Sequence, residues 1–311
     1  MQDLSPFALG ATLYMPATRD DLVDAVLFNK IEGLRSLVIC LEDAVAEKDV
    51  QQARRNLASI VSTMNQVGAV DGGPLVFIRP RDVGMAAELV DTLDLRLAVG
   101  FVLPKFNLEN MAQWQAAIGH THLRWMPTLE TADVFDALAM RELAEALDTD
   151  ALREKILALR IGGNDLMNVL GIRRSRTETL YEGPLGYVFK MLVSTFASRG
   201  FALTAPVCEV IDTPGLLERE LLQDVAHGLV GKTAIHPSQI AVIHRALSIE
   251  TAEYQDALRI LNSEQAVFKN NGAMCEPTTH RRWASNILTR ARIYGVSPTI
   301  NRIDAKSAAH S

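Results

Sequence analysis

Eight short apolar runs rich in β-forming residues recur along this chain, at 12–15, 37–41, 75–78, 101–103, 123–126, 156–161, 203–207 and 233–235. Their starts lie roughly 25 to 45 residues apart, and the stretches between them carry helix-period patterns. Repeated βα units around a parallel sheet are written this way in sequence. Eight such units usually occupy about 250 residues. The spacing predicts an α/β fold, a (β/α)8 TIM barrel over 1–248, with 249–311 as a C-terminal helical extension.

The clearest helix follows the second run. Val50, Ala53, Leu57, Ile60, Val61 and Met64 recur at steps of three and four, while Asp49, Gln52 and Arg55 face away. A second helix is expected to start near Thr18, with Asp21 as the reciprocal capping partner. In the extension the pattern predicts a long helix from 249 to about 269, a break at Asn270, Asn271 and Gly272, and a final helix over 278–294. The polar end, 301–311, is expected to fray.

Composition excludes several classes of function. Thirty-seven acids are interspersed with 31 bases for a net charge of −6, with no basic stripe, so no nucleic-acid partner is expected. The first ten residues lack a signal-peptide pattern, and no run approaches the roughly 18 apolar residues that span a bilayer. A cytoplasmic protein without a membrane partner is expected. Cys40, Cys208 and Cys275 are too dispersed for a metal cluster and read as reduced thiols. Trp114, Trp125 and Trp283 read as packing residues.

In such a barrel the active site forms where the C-terminal ends of the strands meet their loops. The residues just after the runs are Glu42 and Asp43, Arg79, Lys105, Glu130, Asn164 and Asp165, Glu209, and His236. Glu130 and Asp165 offer hard oxygen ligands to Mg2+, which takes one or two carboxylates and leaves positions for substrate oxygens. Arg79 offers a planar fork for a substrate carboxylate. Together these describe a site for a small oxoacid, where a metal at the carbonyl oxygen stabilises the charge released when the adjacent C–C bond breaks. Gly162 and Gly163 permit close approach to a ligand, which places Gly163 and Asn164 among the substrate-binding candidates with Lys105 and His236. Lys105 has two readings: electrostatic support, or a Schiff base if burial lowered its pKa. Arg173, Arg174 and Arg176 are either a solvated loop or a contact for a phosphate or CoA.

These residues sit in motifs that resemble the citrate-lyase beta-subunit and HpcH/HpaI aldolase superfamily, over nearly the whole chain. TLYMPA at 12–17, LEDAV at 41–45, FIRP at 77–80, VLPK at 102–105, TLET at 128–131, GGND at 162–165 and AIHPSQI at 234–240 follow in the family's order. The resemblance implies a TIM-barrel carbon–carbon lyase that acts on an oxo- or hydroxy-acid or its CoA ester. It implies Glu130 and Asp165 as Mg2+ ligands, Arg79 as the carboxylate clamp, and Glu42 and Asp43 as residues that order water around the metal. GAMCEP at 272–277 resembles a tail segment whose acid reaches a neighbouring subunit's site. That implies Glu276 as a catalytic acid acting in trans, and a homo-oligomer, a trimer among the possibilities. The chain departs from the family in four places. Asn164 replaces the usual acid, Glu276 replaces Asp, one residue is missing before Pro277, and PVCEV at 206–210 lacks the common Tyr-Thr-Asp. These changes fall on the acyl-acceptor and CoA half of the site, and keep open a CoA-thioester hydrolase or a non-catalytic binding or assembly subunit.

Overall fold

All eight apolar runs contribute strands to one parallel sheet in the computed structural model, which describes residues 4–28, 30–270 and 273–298. The strands are β1 (Gly10–Pro16), β2 (Ser36–Cys40), β3 (Leu75–Arg79), β4 (Gly100–Leu103), β5 (Arg124–Leu129), β6 (Leu159–Ile161), β7 (Leu203–Thr204) and β8 (Gly231–Ala234). Each neighbours the next in sequence, and β8 returns to β1, pairing Thr12 with Thr233. The β7–β8 seam is thin because Pro206 has no N–H to extend β7. A single bridge, Ala205 to Lys232, closes it, and the Ala205 N–H donates to the Gly231 carbonyl at 2.7 Å. The sheet is thereby a TIM barrel.

Parallel register sets the side chains facing the barrel axis. Val38, Phe77, Val102, Met126 and Ala158 fill its lower part with Leu9, which stands just ahead of β1. Burial alternates less than in an open sheet because the outer face is covered by helices. These are α1 (Leu22–Leu27), α2 (Val50–Val67), α3 (Val83–Thr92), α4 (Met111–Ile118), α5 (Ala137–Leu147), α6 (Asp150–Lys155), α7 (Gly163–Val169), α8 (Leu185–Leu192) and α9 (Pro214–Ala226), and α10 (Ser238–Leu247) follows β8 in the chain. The buried residues of α2 are the six that the periodicity selects.

The start of α1 differs from expectation. Thr18 lies in a turn, and the helix opens at Leu22 with Asp21 at its N-cap. The Asp21 carboxylate accepts a two-point contact from Arg19 and makes no capping bond, so the charged neighbour has outcompeted the backbone.

The chain divides into two units, Met1–Ile240 and Ala241–Ser311. In the second, β9 (Ile249–Glu250) precedes α11 (Thr251–Asn262), and α11 packs on α12 (Pro277–Tyr294) through Ala257, Ile260, Ala284, Ile287 and Ala291. The expected helix to residue 269 stops seven residues early. The Ser263 hydroxyl accepts the Gln265 N–H, and β10 (Phe268–Asn270) pairs antiparallel with β11 (Ala273–Cys275). The register joins Asn270 to Ala273 across Asn271-Gly272, a dipeptide that favours two-residue hairpins. Asn271, Gly272 and the terminal segment 301–311 lie outside the described residues. A last strand, β12 (Val296–Ser297), pairs parallel with β9. Trp114 and Trp125 are buried as expected, but Trp283 is not: it is 39% exposed, one position off the α12 stripe that Ala284 occupies. Among the described residues no helix is long and apolar enough to cross a membrane, and all three cysteines are buried and free.

Candidate active site

Six of the predicted polar groups converge at the C-terminal ends of β2 to β6. Arg79 ends β3 and is their centre. Its Nη2 lies 2.8 Å from Glu42 Oε2, 3.3 Å from Asp43 Oδ2 and 3.2 Å from Glu130 Oε1. Glu42 also accepts the Asp43 N–H at 2.9 Å and meets Lys105 Nζ at 3.2 Å. Asp165 stands in the first turn of α7, one short loop beyond β6, rather than at a strand end.

The backbone of Lys105 is bent to serve Glu130. Its φ of 48° lies in the left-handed region that a side chain disfavours. That turn aims the Lys105 N–H at Glu130 Oε1, 2.8 Å away, while the Lys105 carbonyl accepts from Asn110. Gly162 is shaped by the same carboxylate: a Cβ there would stand 2.3 Å from Glu130 Oε2. The close approach made by the GG pair is to Glu130 and, at Gly163, to Pro206. Asn164 is exposed.

Electrostatics raise three of the four carboxyls, Glu130, Asp165 and Glu42. Burial pushes Glu130 up to about 7, against the pull of Arg79 and with the Asp165 charge adding to the rise. Burial and then the Asp43 charge raise Asp165, with Arg79, Lys105 and an interaction with the Glu130 carboxyl pulling the other way. Glu42 is likewise raised by burial, with Arg79 opposing. Partial burial works against the Lys105 ammonium, but Glu42 outweighs it and raises the pKa, the wrong direction for a Schiff-base amine.

Four carboxylates thus crowd two cations, and two of the four face each other. Among the described residues no three His, Cys, Asp or Glu side chains form a ligand cluster. Mg2+ does not require one, since it keeps several waters and one or two carboxylates. The facing pair, Glu130 and Asp165, with its excess of negative charge, fits such a cation.

The other candidates lie elsewhere. His236 is exposed after β8, its Nδ1 2.7 Å from Ser238 Oγ. It lines a cavity of about 300 Å3 with Arg173, Arg174, Arg176, Glu209 and Asp212. Arg174 is neither a solvated residue nor a free anion contact: it is buried, with Glu220 at 2.6 Å and Glu209 at 2.7 Å. Glu276 belongs to the second unit, at the N-cap of α12, where its carbonyl accepts from Thr279 and His280.

Two sets of charged residues were not anticipated. Arg160 points into the barrel from β6, and Lys232 on β8 joins Glu220 and Asp224 of α9 in a buried network. A charge inside an apolar run was the available signal for Arg160, whereas Lys232 stands just ahead of the run at 233–235.

Comparison with known proteins agrees with this architecture. The sequence profile of the C-C bond lyases of the TIM-barrel fold matches residues 3–296. Human mitochondrial citramalyl-CoA lyase is 27% identical over 255 residues, covering 76% of this chain and 70% of that protein. CitE from Mycobacterium tuberculosis, in complex with magnesium, acetoacetate and coenzyme A, superposes with a TM-score of 0.65 at 22% identity, over 91% of this chain and 98% of that one. RipC from Yersinia pestis gives a TM-score of 0.57 at 23% identity, over 80% and 99%. With its barrel, its cluster of acids at the strand ends and a profile match over nearly its whole length, this chain belongs to the family of carbon–carbon bond lyases of the TIM-barrel fold.

Proposed function

We propose that this lyase is Mg2+-dependent and cleaves or forms a C–C bond beside the carbonyl of a small oxo- or hydroxy-acid or its CoA ester. The observation that carries the reading is the facing pair of raised carboxyls, Glu130 and Asp165, beside a buried arginine. Magnesium in the CitE complex with acetoacetate and coenzyme A and in the M. tuberculosis citrate lyase beta-subunit complex with oxaloacetate supports it, as does the human relative's action on citramalyl-CoA. Glu130 and Asp165 would hold the cation, which supplies Lewis-acid stabilisation of the charge that develops at the carbonyl.

The chain's own groups then have distinct tasks. Arg79 is held at the rim by Glu42, and its fork orients a substrate carboxylate. Glu42 also holds Lys105 as an ammonium, adding positive charge where the anionic substrate enters. The Lys105 N–H fixes the rotamer of Glu130. Two exposed guanidinium groups, Arg173 and Arg176, line the cavity beside His236 and suit the phosphates of a CoA ester. Glu276, supplied by a second copy of the chain, is the proton-transfer group of this reading.

Calorimetric titration of chelator-treated protein with oxaloacetate, with and without Mg2+, tests the proposal. Binding that requires the metal, and that a Glu130→Ala, Asp165→Ala double variant abolishes, is the expected result. Metal-independent or absent binding in the wild type overturns it.

A further inference from the structure

Arg160 is a charged residue for which the proposed reaction has no use. It pairs in register with Thr128 on β5 and Thr204 on β7, so three side chains stand abreast on the inner face of the barrel. Arg160 is 2% exposed. Its guanidinium donates to Thr233 Oγ1, lies 4.0 Å from Met126 Sδ and stands 5.2 Å from the centroid of the Tyr14 ring. The Thr128 and Thr204 hydroxyls beside it have no hydrogen-bond partner among the described residues. Nor does any carboxylate among them lie within ion-pair distance of the guanidinium.

An isolated buried cation is costly, and arginine cannot escape the cost by losing its proton. A cation–π contact with Tyr14 and one hydroxyl offset only part of it. A long apolar side chain in the same place would leave the barrel more stable, as replacement of buried ions by well-packed apolar groups often does. The charge therefore acts on something other than the fold. Glu130 follows Thr128 by two residues, which puts it one layer, about 7 Å, nearer the C-terminal rim. Arg160 feels the charges of both Arg79 and Glu130.

We infer that Arg160 is a positioning residue whose fixed charge, beneath the carboxylate layer, disfavours the bare divalent cation and favours the anionic oxoacid. The inference rests on the proposed function. A unit charge about 7 Å away, at an effective dielectric constant of about 20, changes the affinity for another ion by an order of magnitude or more.

The test is calorimetry of Mg2+ alone, and of oxaloacetate at saturating Mg2+, on wild type and on Arg160→Met, Arg160→Lys and Thr128→Asp, together with thermal melts. Thr128→Asp places a carboxylate at the position paired with Arg160 and neutralises it in place. Arg160→Met and Thr128→Asp are expected to tighten Mg2+ and to weaken oxaloacetate, each by at least about ten-fold, with Arg160→Met melting higher than wild type. Arg160→Lys, which keeps the charge, is expected within about two-fold of wild type on both affinities. Should Arg160→Met not fold, Thr128→Asp still reads the same two affinities. Shifts in one common direction, no shift, or a lysine variant that behaves like the methionine variant overturn the inference alone. A wild type that binds neither Mg2+ nor oxaloacetate overturns the proposed function and the inference with it.

Discussion

Two charged clusters lie in the barrel unit, one buried throughout and one open to solvent at Asp43 and Lys105, and they are balanced in opposite ways. Behind β8, Lys232 meets Glu220 at 2.8 Å and Asp224 at 2.9 Å, Arg174 meets Glu220 at 2.6 Å, and the Tyr181 hydroxyl donates to Asp224 at 2.6 Å. Each of these charges has a partner. At the rim, by contrast, Glu42, Asp43, Glu130 and Asp165 share only Arg79 and Lys105. Burial would raise Glu220, but Lys232 and Arg174 outweigh it and hold that carboxyl below its ordinary value, while burial still raises its neighbour Asp224 against the pull of Lys232. At the rim the same burial prevails, and Glu42, Glu130 and Asp165 all rise. A closed network completes itself within the fold. An open one retains the capacity to take up a ligand.

The sharpest way to break this contrast is to remove one acid from each group. Glu220→Ala leaves Lys232 and Arg174 short of a buried partner and is expected to cost about 3–5 kcal/mol in urea denaturation. Glu130→Gln in metal-free protein relieves crowding among acids and keeps an acceptor for the Lys105 N–H, so stability is expected within about 1 kcal/mol of wild type or above it. Equal losses in the two variants would end the distinction.

The pH dependence of stability should carry opposite signs. Glu130 has a folded pKa of about 7, above its unfolded value of about 4.3. Between those values the folded state holds the proton and the unfolded state does not, so stability falls as pH rises through the window. The loss is on the order of 3 kcal/mol. Glu220 is lowered, so its contribution is present above about pH 4.3 and is lost as pH falls through the folded value. Unfolding free energies of metal-free wild type, Glu130→Gln and Glu220→Gln from about pH 2 to about pH 8, which takes in both the loss below about 4.3 and the loss toward about 7, measure both. The Glu130→Gln curve is expected to fall less steeply toward neutral pH than wild type, the slope left over being that of the other raised acids, Glu42 and Asp165. A wild type whose stability rises across that window would contradict the crowded-acid account of the rim.

The two groups were also unequally legible in the sequence. The rim acids could be named because each follows an apolar run, and strand ends converge in a barrel. The strands themselves were readable from their order and spacing, and α2 from its six apolar positions. The network behind β8 was not readable. Glu220 and Asp224 are four residues apart on α9, a spacing that reads as a solvated helix face until Lys232 is known to stand opposite. Lys232 and Arg160 sit among strand residues, and a run of residues does not say which face a charge takes. The hairpin of the second unit was lost for another reason: Val267, Phe268 and Lys269 are compatible with helix or strand, and antiparallel pairing with 273–275 decided it.

The smallest expected difference separates two glycines. Gly162 is pressed against the open group: an added Cβ would lie 2.3 Å from Glu130 Oε2 and 2.4 Å from Glu130 Cβ. The second contact is close to the backbone, so rotating the carboxylate away does not relieve it, and the end of β5 must shift. Gly162→Ala is expected to cost about 1–3 kcal/mol, as overpacking does. Mg2+ affinity should fall by more than that loss of stability suggests, because the displaced group is the ligand itself. Gly215 opens α9, the helix that carries Glu220 and Asp224, and has nothing within 4 Å of its added Cβ. Gly215→Ala gains helix propensity and should stabilise by about 0.5–1 kcal/mol with metal binding unchanged. Urea denaturation and Mg2+ calorimetry on the two variants separate the cases. If Gly162→Ala bound Mg2+ as wild type does, the cation would not be held where the carboxylate of Glu130 now points, and the facing pair with Asp165 would have to be read as structure.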